Sequence, residues 1–163
     1  MLSLQNNELG IDFCLQLAHG IVLNNPRGSL RTLNLNRNKL GSKGVQLLCE
    51  ALSENTRLES LFLNDNGIDS DGALALAKLL SVPQITVGAS GPALKELHIA
   101  ENKIASSGLS GLFDALAKFN KKLKFLDVSY NIIDIGLLRS LRQLVERNVT
   151  LHYLAISGLH KFN

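Results

Sequence analysis

An open α/β solenoid, with parallel strands joined by right-handed helical crossovers, is the fold that three observations on this sequence predict. A short motif recurs with asparagines at a fixed place in it, Asn7, Asn38, Asn66, Asn102 and Asn131, separated by 31, 28, 36 and 29 residues. Within each copy the apolar positions alternate with period two and then recur at three and four residues, a strand period followed by a helix period. The chain of 163 residues is 45% apolar but only 5% aromatic, with no Trp, which suits repeated aliphatic layers better than a core built on a few large rings.

The copies read LRTLNLNRNKL (30–40), LESLFLNDNGI (58–68), LKELHIAENKI (94–104), LKFLDVSYNII (123–133) and a weaker LHYLAISGLHK (151–161). A truncated copy opens the chain with Leu2, Leu4, Asn7 and Leu9 in register, so about five to six repeats are expected. The pairs Leu33 and Leu35, Leu61 and Leu63, Leu97 and Ile99, and Leu126 and Val128 alternate as half-buried strands do. The asparagine that follows is the turn residue. Its amide both donates and accepts, so it satisfies backbone groups left bare where the chain leaves the strand, and stacked copies form a ladder. In the last copy Leu159 takes the asparagine position.

Helical spacing follows each strand: Val45, Leu48 and Leu52; Leu76, Leu79 and Leu80; Leu109, Leu112 and Leu116; Leu137, Leu141 and Leu144. Gly44, Gly72 and Gly108 lie six residues after a ladder asparagine and are predicted to precede these helices. Gly136 comes one residue early, and Phe13 takes the place in the first copy, as befits an atypical terminal repeat. Asn55, Asn120 and Asn148 fall near helix ends and are predicted to be left-handed caps. Two insertions break the period. SVPQITVGASGPA (81–93), rich in Gly, Pro and Ser, is predicted to leave the solenoid as a loop, and NNPRGS (24–29) is a smaller one after the first helix.

These copies resemble the ribonuclease-inhibitor type of leucine-rich repeat over nearly the whole chain. The resemblance implies a single domain, 1–163, bent into a horseshoe arc with a concave parallel β-sheet and convex α-helices. It also implies that recognition lies on the concave sheet, at the positions between the strand leucines. The central row there is Ser3, Asn34, Phe62, His98, Asp127 and Ala155. Thr32, Ser60, Glu96, Phe125 and Tyr153 lie on one side of it, and Gln5, Asn36, Asn64, Ala100, Ser129 and Ser157 on the other. Arg37, Asp65, Glu101 and Tyr130 follow as a rim. Phe62, Phe125 and Tyr153 are candidate anchors for a partner, the alternative being that Phe62 and Phe125 shield each other. Of these rows Asn34, Asn36, Phe62, Asn64, Glu96, His98, Phe125, Asp127 and Tyr153 form the expected contact set. His98 with Glu96 and Glu101 reads as polar surface, because a flat sheet lacks the pocket and the fourth partner that a metal or acid–base site needs.

Composition narrows the function. A net charge of +3 makes no field that implies nucleic acid, and the cluster Lys121, Lys122 and Lys124 reads as a solvated edge. No stretch of about 18 apolar residues suggests a membrane span, and the opening MLSLQNNELG lacks a secretory pattern. Two isolated cysteines, Cys14 and Cys49, suit a reducing compartment, so a cytoplasmic location is expected and the sequon at Asn148 reads as chance. With no phosphate-binding glycine loop, metal-spaced cluster or nucleophile with its base, neither an enzyme nor a cofactor is expected. A non-catalytic scaffold for a protein partner remains. Both terminal layers look thinly covered, which fits either a piece of a longer solenoid or ends covered by neighbours in an assembly. The resemblance brings two alternatives: a cytoskeletal role, as in tropomodulin-like actin-capping domains or axonemal regulatory subunits, and activation of a small GTPase, as in the Ran GTPase-activating proteins, whose acidic tail is absent here.

Overall fold

The computed structural model describes residues 1–20, 29–53, 55–81 and 92–158. Six strands pair in chain order into one open parallel sheet: β1 (Leu2–Ser3), β2 (Thr32–Asn34), β3 (Ser60–Phe62), β4 (Glu96–His98), β5 (Phe125–Asp127) and β6 (Tyr153–Ala155). Between them run α1 (Ile11–Ala18), α2 (Gly41–Leu52), α3 (Ser70–Leu80), α4 (Ser106–Lys118) and α5 (Leu138–Arg147), the last preceded by a 3-10 turn at Ile135–Leu137. The register aligns equivalent leucines: Leu2 faces Leu33, Leu33 faces Leu61, Leu61 faces Leu97, Leu97 faces Leu126 and Leu126 faces Leu154. A slip of one residue would turn every one of them out of the core, so the leucines themselves hold the register.

Strand leucines of the inner repeats are buried against helix residues such as Val45, Leu48, Leu76, Leu109, Leu112 and Leu116. In the terminal layers Leu2, Leu4, Leu9, Phe13 and Leu17 at one end, and Leu151, Leu154 and Ile156 at the other, are only partly buried. Cys14 and Cys49 are buried free thiols.

The asparagine ladder forms as expected, and its bonds cross from repeat to repeat. Asn102 Nδ2 donates to the carbonyls of Ile99 and Ala100 in its own repeat and of Leu63 in the preceding one, each at 3.0 Å. Its Oδ1 accepts the Asn66 and Ile68 amides, both at 3.0 Å. Asn38 and Asn131 repeat the pattern, accepting from Leu9 and Ile104. Asn66 Nδ2 reaches the carbonyls of Leu35 and Asn64, but its Oδ1 is the one buried side-chain oxygen among the described residues without a partner. Exposed Asn7 bonds only within its own turn, to Leu4 and Gln5.

Two expectations need correction. Asn148 is extended (φ −85, ψ 125), and the non-glycine residues with positive φ do not include Asn55 or Asn120. These three asparagines cap by side chain instead. Asn55 Oδ1 accepts the amides of Arg57 and Leu58, Asn120 those of Lys122 and Leu123, and Asn148 those of Thr150 and Leu151. Asn120 and Asn148 also donate back to the carbonyls of Leu80 and Leu116, which makes a second ladder at the far end of each unit. The left-handed non-glycine residues among those described are Asn6, Arg37, Asp65, Glu101 and Tyr130, each directly before a ladder asparagine. This conformation costs a non-glycine residue roughly 1–2 kcal/mol. Here it delivers the amides of Arg37, Asp65, Glu101 and Tyr130 to the carbonyls of Asn64, Ala100, Ser129 and Ser157 in the next repeat.

Nor do the glycines precede the helices: Gly44, Gly72 and Gly108 sit inside their first turns. A Cβ on Gly108 would lie 2.7 Å from Ser70 Cα, and one on Gly44 would lie 2.9 Å from Cys14 Sγ. Close approach of consecutive helices requires them. A third row, of serines four residues after the ladder asparagine, joins the same ends: the hydroxyls of Ser42, Ser70 and Ser106 accept the amides of Asp69, Ala105 and Asp134. Of the two insertions, residues 82–91 and 24–28 lie outside the described residues, as do residues 159–163 with Leu159.

Asn102→Ala, which removes one hydrogen bond from each of five backbone groups, is expected to cost at least about 3 kcal/mol in urea unfolding, whereas Asn7→Ala costs under about 1 kcal/mol. Gly108→Ala is expected to destabilise by about 1–3 kcal/mol because backbone must move. Gly111→Ala, whose Cβ meets only the movable tip of Leu74, is the near-neutral control.

Candidate binding surface

Because strands three residues long present alternate side chains to opposite faces, the outward residues of β2 to β6 form short rows across the concave sheet. Asn34, Phe62, His98 and Asp127 face one another in one row, and Glu96, Phe125 and Tyr153 in the next. All are half-buried except Tyr153, which is 56% exposed.

The rings do not act singly. Phe62 and His98 stack with centroids 4.2 Å apart, His98 and Phe125 follow at 4.6 Å, and Phe125 and Tyr153 at 4.8 Å, with planes within 26° of parallel. These spacings match the distance between neighbouring strands, so ring faces look along the sheet at one another and ring edges look outward. The ribbon steps from one row to the next between β4 and β5, because Phe125 pairs with Glu96 while His98 pairs with Asp127. Phe62 and Phe125 therefore do not shield each other directly. His98 lies between them, and row-by-row alignment of the sequence misses a stack that runs diagonally.

Other expected contact residues are partly spent on the fold. Asn36 Oδ1 accepts the Asn64 amide at 2.8 Å, and Asn64 Oδ1 accepts the Ala100 amide at 2.8 Å. Asn34 Nδ2 donates to Gln5 Oε1, and its Oδ1 accepts the Asn36 amide. Asp127 Oδ1 accepts the Ser129 amide. Along the foot of the sheet Glu59 bridges Arg31 at 3.6 Å and Lys95 at 2.7 Å. The hydrogen bond from Lys95 holds the Glu59 carboxyl below its ordinary range.

On the convex side a groove of about 590 Å³ runs between α2 and α3, lined by Gln46, Cys49, Glu50, Asp71, Leu74 and Lys78 among others. Burial pushes the Cys49 thiol up to about 12 and Cys14 to about 11, so both stay protonated and behave as small apolar groups. Among the described residues no cluster of His, Cys, Asp and Glu has the grouping to hold a metal. Among them, too, no helix is long and apolar enough to cross a membrane.

Desolvation between the rings lowers the His98 pKa, against the opposing pull of Asp127 and Glu96. A depressed folded-state pKa means that stability is full above the unfolded histidine value of about 6.5 and is lost as pH falls through the folded value. Proton NMR titration is expected to place His98 below the unperturbed value. His98→Phe, which keeps the stack, is expected to flatten the dependence of the urea midpoint on acid pH.

Comparison with known proteins agrees with this architecture. The Leucine Rich repeat family model matches residues 29–49, 54–77 and 92–113. Ribonuclease inhibitor of Mus musculus is 27% identical over 99% of the chain, which spans 34% of that protein's length. Leiomodin-1 actin-binding site 2 superposes with a TM-score of 0.73 at 22% identity, covering 86% of this chain and 77% of that one. The tropomodulin C-terminal domain of Caenorhabditis elegans gives 0.71 at 16% identity, covering 93% and 84%. With stacked leucines, buried asparagine rows and a helix in each repeat, the chain is a leucine-rich-repeat protein of the ribonuclease-inhibitor type.

Proposed function

We propose that this chain is a non-catalytic scaffold that binds a protein partner through its concave sheet. The observation that carries the reading is the ribbon of Phe62, His98, Phe125 and Tyr153, four stacked rings on a face that no other described element covers. Phe113 of α4, on the helical side, is by contrast fully buried. Rings stacked before a partner arrives lose little freedom on binding, which is the property of an interface anchor. The ribonuclease inhibitor relative, named for a protein it acts on, is consistent with a protein partner. Two buried, unpaired thiols suit a cytoplasmic setting.

A cytoskeletal role is the second reading, and the superposition on leiomodin-1 actin-binding site 2 and on tropomodulin favours it. The fold likeness supports actin as the first partner to try.

Affinity capture from a lysate of the source cell, with the wild type beside Phe62→Ala/Phe125→Ala, tests the main reading. The variant should keep its circular dichroism and lose a defined set of captured proteins. An identical set on both baits overturns the concave-face reading and moves the contacts to the half-covered ends or the insertion. Co-sedimentation with filamentous actin, lost in the same variant, would place the chain with its cytoskeletal neighbours, and failure to sediment removes that reading.

A further inference from the structure

The step in the aromatic ribbon creates a square of four side chains on β4 and β5. His98 pairs with Asp127 and Glu96 with Phe125. The rings of His98 and Phe125, 4.6 Å apart, take one diagonal, and the two carboxylates take the other. Residues placed diagonally on adjacent strands have their Cα atoms about 7–8 Å apart, so two acidic groups flank the outward ring edges.

Neither carboxylate is neutralised. The ion pairs among the described residues use Glu8, Glu59, Asp114 and Glu146, not Glu96 or Asp127. The two rows that carry the ribbon contain no lysine or arginine. Lys95, at the foot of β4, is tied to Glu59, and exposed Lys124 lies at the foot of β5. The square is thus a spot of negative charge on a chain whose net charge is +3. Half-buried carboxylates beside a low-dielectric ring surface attract a cation more strongly than exposed ones do.

We propose that this square receives an arginine of the protein partner, its guanidinium spanning Glu96 and Asp127 across the edges of His98 and Phe125. A planar group with five N–H donors reaches two carboxylates at once, whereas a lysine ammonium is a point charge that satisfies one of them well. The apolar stem of the arginine lies along the ring edges. His98 decides whether the square is open. Its charged neighbours are Asp127 on β5 and Glu96 on its own strand, while β3 presents the uncharged Ser60, Phe62 and Asn64. A neutral imidazole leaves both carboxylates to the guest, and a protonated one supplies a competing cation at the centre. Affinity therefore falls as pH drops, and a bound arginine pushes the His98 proton off.

This inference rests on the concave-face reading, and a defined probe separates the two. The probe is a fluorescein-labelled octapeptide of glycine with two arginines, read by fluorescence anisotropy beside its lysine and glutamate counterparts. The net positive charge of the chain disfavours unspecific uptake of the arginine peptide. Expected are saturable binding of that peptide, about threefold weaker binding of the lysine peptide and none of the glutamate peptide. Glu96→Gln/Asp127→Asn, nearly isosteric, should weaken the arginine peptide about tenfold with circular dichroism unchanged. Binding should hold from about pH 7.5 to 6.5 and weaken as pH falls further, and His98→Phe should remove that dependence.

Equal binding of all three peptides, full affinity in the isosteric variant, or no binding up to about millimolar peptide overturns the proposal. If the peptide fails while captured proteins are still lost in Phe62→Ala/Phe125→Ala, the arginine is wrong and the concave face stands. If the peptide binds while the captured set is unchanged in that variant, the square is real and the concave protein interface is wrong.

Discussion

A buried side-chain amide that bonds simultaneously within its own repeat and into the neighbouring one is the constraint on which this molecule depends. Strands of two or three residues offer few ladder bonds, and every turn out of the sheet leaves amides and carbonyls inside the protein. Asn102 bonds to five of these groups, in its own repeat and the preceding one. An asparagine at this place is therefore a joint between units rather than a decoration of one. No repeat can satisfy its own turn alone, just as none can bury its own leucines alone, and hydrophobic and polar requirements select the same stack.

The other irregularities make sense beside that joint. Arg37, Asp65, Glu101 and Tyr130 accept a left-handed backbone because the turn they make brings the next residue's amide side chain inward and their own N–H to the following repeat. Asn55, Asn120 and Asn148 close the opposite end of the unit with the same chemistry, and Ser42, Ser70 and Ser106 stitch the helix starts. Strain at one residue is offset by bonds at its neighbours, which is why polar residues sit so deep in a protein built on leucine.

Periodicity made most of this legible before any coordinates. Asn7, Asn38, Asn66, Asn102 and Asn131, with the leucines before them, place β1 to β5 and their register, and the leucines alone place β6, because one pattern repeated against itself admits one alignment. The left-handed assignment of Asn148 failed because composition says that asparagine tolerates that conformation, not that it adopts it. Its side chain found better use as an acceptor. The serine row was present in the sequence at a constant offset but carries no hydrophobic signal to draw attention to it. The ribbon was half legible. Phe62, Phe125 and Tyr153 were visible as rings on a polar face, but their union through His98 depends on a diagonal contact between rows, which alignment of equivalent positions cannot display. The carboxylate square follows from the same diagonal.

The glycines at the helix starts reach further than local packing. Hydrogen-bonded strands keep a spacing of about 4.8 Å, while packed helices stand about 8–10 Å apart, and this mismatch bends the stack toward the strand side. Gly72 and Gly108 let helix ends close against Ser42 and Ser70, narrowing the wider layer. Curvature is thereby set from the back of the molecule. The span between Asn34 and Tyr153 across the concave sheet is governed by residues on the opposite face.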